Sequence, residues 1–328
     1  MAVTLADVAA AAGLSGSTVS RALSDPDKVN ASTRDRVLRI AAQMGYVPNH
    51  TARSLTIGRT DLLGLLVPDI ANPFFPPIIK AVQSRAGAKS RTVVVADTDE
   101  HPSDELESAR RLRKRTDGLI IASPRTPAAR LDEFAELGPV VFVNREVPGS
   151  ASVIIDAGDG MQQAVEHLAA LGHRTIAYLA GPRRSWSNSQ RRTAIAETAE
   201  QLGLSIIEYG PYEAQVQSGV HAADLLLAGD ATAAIAYDDL VALGVMARLT
   251  ERGIRTGTDI SVIGVDDSPM SAMAYPTLTT VHVPGSEAGT VAVDTLLGLL
   301  DGSVQQPEPI RLETRLVVRS STGPAPAR

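Results

Sequence analysis

The sequence predicts an α/β body built from parallel βαβ units, preceded by a small all-α headpiece. Three observations carry this. The first sixty residues repeat their apolar positions at helical spacing, whereas from Asp61 onward short β-branched runs alternate with helical stretches at intervals of roughly 25 to 40 residues. Charge changes sign at the same boundary: residues 1–60 hold seven basic and four acidic residues, a net +3, and the remainder holds 24 basic and 33 acidic residues, a net −9. At 328 residues the chain is long enough for a small domain and a larger body, each with its own core.

In the headpiece, Leu5, Val8, Ala9 and Ala12 fall at i, i+3, i+4 and i+7, with Thr4 as N-cap, Asp7 at N3 and Gly13 as the stop. A second short helix starts at an N-cap Ser15 and runs through Leu23, ending before Ser24-Asp25-Pro26. A third begins at Ser32, again with an acid three residues on at Asp35, and turns Val37, Ile40, Ala41 and Met44 inward before Gly45. Periodicity alone leaves an ordinary three-helix bundle and a helix-turn-helix equally open. A positive head on an acidic body is what a phosphate-binding module fused to a different kind of domain would show.

The body predicts strands at LLGLLVP, TVVVADT, GLIIAS, VVFVNR, SVIIDA, TIAYLAG, AAIAYDD and SVIGVDD. Several end in polar residues, and open α/β sheets bind ligands beyond the carboxyl ends of their strands. Composition is that of a globular protein, 44% hydrophobic and 21% charged, with no apolar run near the ~20 residues of a membrane span, so a soluble chain is expected. With no cysteine, disulfide, zinc-thiolate and catalytic-thiol chemistry are excluded. The opening MAVTLADVAAAAG lacks the basic region and long apolar core of a secretory signal, so a cytoplasmic location is expected. G-x-G-x-x-G, P-loop, H-E-x-x-H and nucleophile-elbow strings do not occur, which leaves no signature for an enzyme. His167 and His173, six residues apart at a helix end, do not suggest a metal site, and no cofactor is expected.

Residues 3–55 closely resemble the DNA-binding headpiece of the lactose-repressor family of bacterial regulators, on the strings TVSRAL, GYVPN and ARSL. The resemblance implies that the second helix lies in the major groove of a double-stranded operator. Gly16 and Ser17 match the positions that family members vary to read bases, and Arg21 offers a bidentate fork for guanine. Thr18 and Ser20 would meet phosphate, while Val19 and Leu23 would be core. The resemblance also places Thr4, Ser15, Asn30, Tyr46, Asn49, Ala52 and Arg53 at the DNA. Residues 49–60 would be a hinge helix and linker, too short to fold alone, in which Leu55 wedges into the minor groove when paired with its dimer mate.

The body resembles the type I periplasmic-binding-protein fold, two parallel-sheet lobes, on strings that include LLGLLVPDIANPFF, HLAALGHRTIAYLAGP, AYDDLVALGV and GTDISVIGVDDSP. That implies one lobe from about 61–158 and 286–317, a second from about 159–285 and 318–328, and crossings near 157–160, 282–286 and 317–320. The ligand would sit between the lobes on Asp69, Phe74, Asn144, Arg145, Trp186, Arg191, Asp238 and Asp266. Asn144 stands where the family commonly has aspartate, and Asp238 where it commonly has asparagine. For Asp69, Asp238 and Asp239 a helix cap or Asx turn is the lesser alternative. An aromatic face with Asp, Asn and Arg suits a carbohydrate, with a purine or nucleoside as rival. The tail TGPAPAR is too short and polar for a tetramer helix, so a homodimer is expected. A pure solute-binding protein and a sugar-modifying enzyme are the competing functions.

Overall fold

The structure, a computed structural model, describes residues 3–24, 28–46, 59–305 and 308–327. It forms two compact units, Met1–Thr60 and Asp61–Arg328. In the first, α1 (Leu5–Ala12), α2 (Gly16–Ser24) and α3 (Ala31–Gln43) close around Val8, Ala9, Ala12, Val19, Ala22, Val37 and Ala41. The capping box at α1 forms as the sequence predicts: the Asp7 amide donates to Thr4 Oγ1 at 3.3 Å and the Thr4 amide donates to Asp7 Oδ2 at 2.8 Å. Gly13 ends the helix at φ 61°, a left-handed conformation that glycine adopts without steric cost.

One boundary is corrected. The third helix starts at Ala31 with Asn30 as its cap rather than at Ser32, because the Ser32 amide donates to Asn30 Oδ1 at 3.1 Å and its hydroxyl does the same at 3.0 Å. Ser32 is thus the residue being capped.

The body holds two six-stranded sheets. The first comprises β1 (Leu62–Val67), β2 (Thr92–Asp97), β3 (Gly118–Ala122), β4 (Val140–Val143), β5 (Ala151–Asp156) and β11 (Ile310–Glu313), in the order β11-β5-β4-β3-β1-β2, all parallel. The second comprises β6 (Thr175–Leu179), β7 (Ser205–Tyr209), β8 (Ala233–Ala236), β9 (Ser261–Asp266), β10 (Thr279–His282) and β12 (Arg315–Val317), in the order β12-β10-β9-β8-β6-β7, with only β12 antiparallel. Both sheets reverse strand order between their first and third strands, and the crevice at such a switch point is where open α/β sheets take ligands.

Both faces of the inner strands are covered, which explains their unbroken apolar runs. Along β3, Ile120 and Ala122 join one buried cluster with Phe75, Ile78 and Val82 of α4 (Phe75–Ala88). Leu119 and Ile121 join another, with Leu106, Ala109 and Leu112 of α5 (Pro102–Arg113). Each buried Val, Leu, Ile or Phe side chain among them contributes about 1.5–3 kcal/mol.

The chain changes sheet after β5, after β10 and at Thr314. The last change comes earlier than the expected 317–320, because 315–317 pair with β10 instead of extending the first lobe. Thr314 pins two crossings together. Its Oγ1 donates to the Asp156 carbonyl at 2.7 Å and accepts the Gly160 amide at 3.1 Å. A Cβ at Gly160 would come 2.5 Å from both Thr314 Oγ1 and Val281 Cγ1, so this approach requires glycine. His167 and His173 hold the last residues: His167 Nε2 lies 2.9 Å from Thr322 Oγ1, and His173 Nε2 lies 3.1 Å from the Gly323 carbonyl.

Candidate functional site

The headpiece presents the amino-terminal face of α2. Ser15, Gly16, Ser17 and Arg21 are exposed, Thr18 and Ser20 are half-buried, and Val19 and Ala22 face the core. Ser15 Oγ accepts the Thr18 amide at 3.2 Å and lies 2.9 Å from Ser17 Oγ and 2.8 Å from Thr18 Oγ1, a compact hydroxyl cluster at a helix start. Arg21 Nε donates to the Ser17 carbonyl at 3.2 Å, which lays the guanidinium beside that cluster. Such an end supplies amide and hydroxyl donors for phosphate and a small-residue surface that a base edge can approach. Thr4 and Asn30 are exposed but occupied as caps, and Tyr46 packs against the headpiece core. Asn49, Ala52, Arg53 and Leu55 lie outside the described residues.

In the body, a cleft of about 280 Å³ opens where the carboxyl ends of both sheets meet. Five of the eight expected residues line it: Phe74, Asn144, Arg191, Asp238 and Asp266. Local backbone explains how the strand ends deliver these groups. Ser123, Asn144 and Asp266, at the ends of β3, β4 and β9, have φ of 45°, 55° and 112°. Non-glycine residues seldom occupy this region, and such strain concentrates at functional sites. Asn144 Nδ2 donates to Ser123 Oγ at 2.9 Å, joining two of these turns.

Arg191 sits on α8 (Trp186–Leu202), capped by Ser185. Its Nη1 donates to the Tyr237 carbonyl, its Nη2 lies 3.8 Å from Asp266 Oδ1, and its guanidinium lies 5.0 Å from the Tyr237 ring centroid. Asp238 caps α10 (Asp239–Glu251): its Oδ1 accepts the Val241 amide at 2.8 Å, while its buried Oδ2 has no partner. Asp238 is therefore both cap and cleft residue. Burial pushes its carboxyl up to about 7, against the pull of the Val241 amide and of Arg191. Asp239 is pushed up to about 6, again by burial, although the Thr280 hydroxyl and the Ser268 amide donate to it at 2.6 and 2.7 Å. Burial likewise raises Asp266 well above the usual carboxylate range, with Arg191 opposing.

Three expected residues are not brought to the cleft. Asp69 Oδ1 closes an Asx turn onto the Ala71 amide at 2.7 Å. Arg145 is buried beside the site without lining it, and burial lowers its pKa, with Glu105 opposing. Trp186 is the first residue of α8, half-buried. The cleft face of that helix is set by Ser187 and Arg191, four residues apart, and Trp186 falls one position off it. The aromatic surface comes instead from Phe74, Phe75 and Tyr237, with Phe74 and Phe75 in edge contact at 4.9 Å. Asn72, Phe75, Ser123, Arg125, Ser187 and Tyr237 line the cleft without having been expected there; Asn72 and Phe75 lie in LLGLLVPDIANPFF, Ser123 ends GLIIAS with Arg125 two residues beyond it, and Tyr237 lies in AAIAYDD.

Comparison with known proteins agrees with both halves. Residues 4–49 match the family described as bacterial regulatory proteins, lacI family, and residues 165–322 match a periplasmic binding protein-like domain. The HTH-type transcriptional regulator DegA of Bacillus subtilis is 33% identical over 99% of this chain and 99% of its own. The lac repressor dimer bound to operator and the anti-inducer ONPF is 32% identical with a TM-score of 0.89, covering 98% of this chain and 100% of that one. The complex of the regulator CelR with cellobiose is 30% identical with a TM-score of 0.73, covering 97% and 99%. The relatives are transcriptional regulators and not enzymes, and among the described residues no helix is long and apolar enough to cross a membrane. This chain belongs to the lacI family of bacterial regulatory proteins.

Proposed function

We propose that this protein is a homodimeric repressor that reads a pseudo-palindromic operator through α2 and is switched by a small polyhydroxylated molecule, a sugar or sugar derivative, in the cleft. The observation that carries the reading is the pairing, in one chain, of an exposed hydroxyl-and-arginine helix start with a cleft lined from both sheets by Asn, Asp, Ser and Arg. With Gly16 bare and Ser17 short, direct readout rests on Arg21 and on the deformability of the operator's centre, where Leu55 is proposed to insert.

The aromatic geometry favours a sugar over a purine. Tyr237 already holds Arg191 against its ring, and a Cβ on Gly181 would come 2.2 Å from it, so its surface is taken. Phe75 is buried edge-on against Phe74, so Phe74 is the ring left to stack, which suits the single C–H face of a pyranose better than a base held between two rings. CelR, similar over most of its length, holds cellobiose. A dimer is supported by the exposed apolar side chains Met270, Met273 and Tyr275, the last two 82% and 98% exposed, which a second copy would cover.

Selection from a random DNA pool by the full chain tests the reading. A two-fold-related sequence is expected to emerge, and Arg21→Ala is expected to weaken its binding about 10- to 100-fold, the ~1–3 kcal/mol of one bidentate base contact. No enrichment, or equal affinity for a scrambled site, would contradict it.

A further inference from the structure

We propose that the effector carries a protonated amine, an amino sugar in chemical class, whose ammonium group pairs with Asp238. The inference rests on the reading of the cleft as an effector site and adds its charge.

The cleft holds more carboxylate than available cation. Arg145, buried beside the cleft, interacts with Glu105 and not with Asp238 or Asp266, and the two guanidinium groups that line the cleft are not equivalent. Arg125 is committed to Glu100, with Nε to Oε2 at 2.6 Å and Nη2 to Oε1 at 2.7 Å, and its Nη1 donates to the Ser123 carbonyl at 3.1 Å. Arg191 is left to balance both Asp238 and Asp266, and it approaches Asp266 only to 3.8 Å while one nitrogen is spent on the Tyr237 carbonyl. Behind them Asp239 adds another carboxylate, already served by Ser268 and Thr280. Asp267, the next acid along, is paired with Arg319 at 2.6 Å and with His282 at 3.0 Å, so those two groups are not available to the cleft.

Asp238 shows where the missing cation belongs. The residue is 2% exposed and lines the cleft, and its Oδ2 accepts no hydrogen bond from the protein. A buried carboxylate oxygen without a donor is costly, and a charged donor satisfies it about twice as strongly as a neutral one. A sugar hydroxyl would supply one donor and no charge, whereas an ammonium supplies three donors and the unit charge the cluster lacks. The upward shifts of Asp238 and Asp266 have the same origin, burial that the opposing charge of Arg191 does not offset. The remaining polar groups, Asn72, Asn144 and Ser187, suit the hydroxyls of the same ring, and Phe74 its apolar face.

Calorimetric titration of the full chain with matched pairs at neutral pH tests this: D-glucosamine against D-glucose, D-galactosamine against D-galactose and D-mannosamine against D-mannose. At least one amino sugar is expected to bind roughly tenfold or more tighter than its neutral parent. Asp238→Asn keeps the volume and the helix cap, and is expected to abolish that preference while the variant melts as a folded protein. The proposal is overturned if the neutral parents bind as tightly, if no amino sugar of the panel binds, or if Asp238→Asn retains the preference. Repeating the titrations with the selected DNA separates the two readings. An amino sugar that binds with the expected preference and leaves DNA affinity unchanged sinks the switch and not the charge assignment. A preferred neutral sugar that shifts DNA affinity does the reverse.

Discussion

Replacing Arg191 by methionine is expected to destabilise the body by about 3–5 kcal/mol, the range for removing one partner of a buried ion pair. The side chain is 5% exposed and is the one guanidinium within reach of Asp266 among the described residues. Its loss strands two buried carboxylates and leaves the Tyr237 carbonyl without its donor. At about 2–4 °C per kcal/mol for a domain of this size class, the unfolding midpoint should fall by on the order of 10 °C. Arg192→Met, next in sequence, provides the contrast. Arg192 is half exposed and pairs with Glu208 at the surface, a contact worth ~0–1 kcal/mol. Equal effects of the two substitutions would show that Arg191 is not the counter-charge of the cleft.

The second large effect is on pH dependence. Asp238 is raised from 3.8 to about 7 in the folded protein, so the folded state binds a proton more tightly than the unfolded chain does. The stability this contributes is fully present below about pH 4 and is lost as pH rises through about 7. Asp239, raised to about 6, acts in the same direction, as does Asp266. Denaturant unfolding of the ligand-free protein should therefore give a lower stability near pH 8 than near pH 5. Asp238→Asn, neutral at every pH, should flatten that slope and stabilise the protein at the alkaline end. The Arg191→Met loss should also be larger near pH 8, where the stranded carboxyls are ionised. Stability that rises between pH 5 and pH 8, with Asp238→Asn weaker than the natural residue near pH 8, would contradict the charge assignment.

Both effects depend on residues legible in the sequence for unequal reasons. Caps at Thr4 and Gly13 and the apolar inner strands β1, β3, β4, β5, β6, β8 and β9 are set by neighbours within a few residues or by two-sided burial, and a linear reading finds them. Four strands, at 205–209, 279–282, 310–313 and 315–317, escaped. Three are edge strands with half-exposed residues and no long apolar run, as β11 shows with Leu312 alone buried, whereas the edge strand β2 announces itself through Val93, Val94 and Val95. The fourth, 279–282, is an inner strand whose buried positions include the polar Thr279 and Thr280. In the cleft, Arg191, Asp238 and Asp266 were found through resemblance to a family. What that resemblance could not supply was direction. Trp186 falls off the cleft face by one helical position, Asp69 turns back on its own backbone, and Ser123 is aimed inward by a positive φ that no residue type at that position announces. Charge balance was also hidden, because it depends on Glu100 having claimed Arg125 from 25 residues away.

In the proposed switch one molecule links the cleft to the headpiece. Linkage requires that an effector change DNA affinity by the same factor by which DNA changes effector affinity, typically 5- to 150-fold. The decisive measurement is that pair of factors: the Kd for the selected DNA with and without saturating amino sugar, and the Kd for amino sugar with and without that DNA. Two equal factors, well away from one, are expected. A sugar that occupies the cleft and leaves both constants unchanged would contradict the switch.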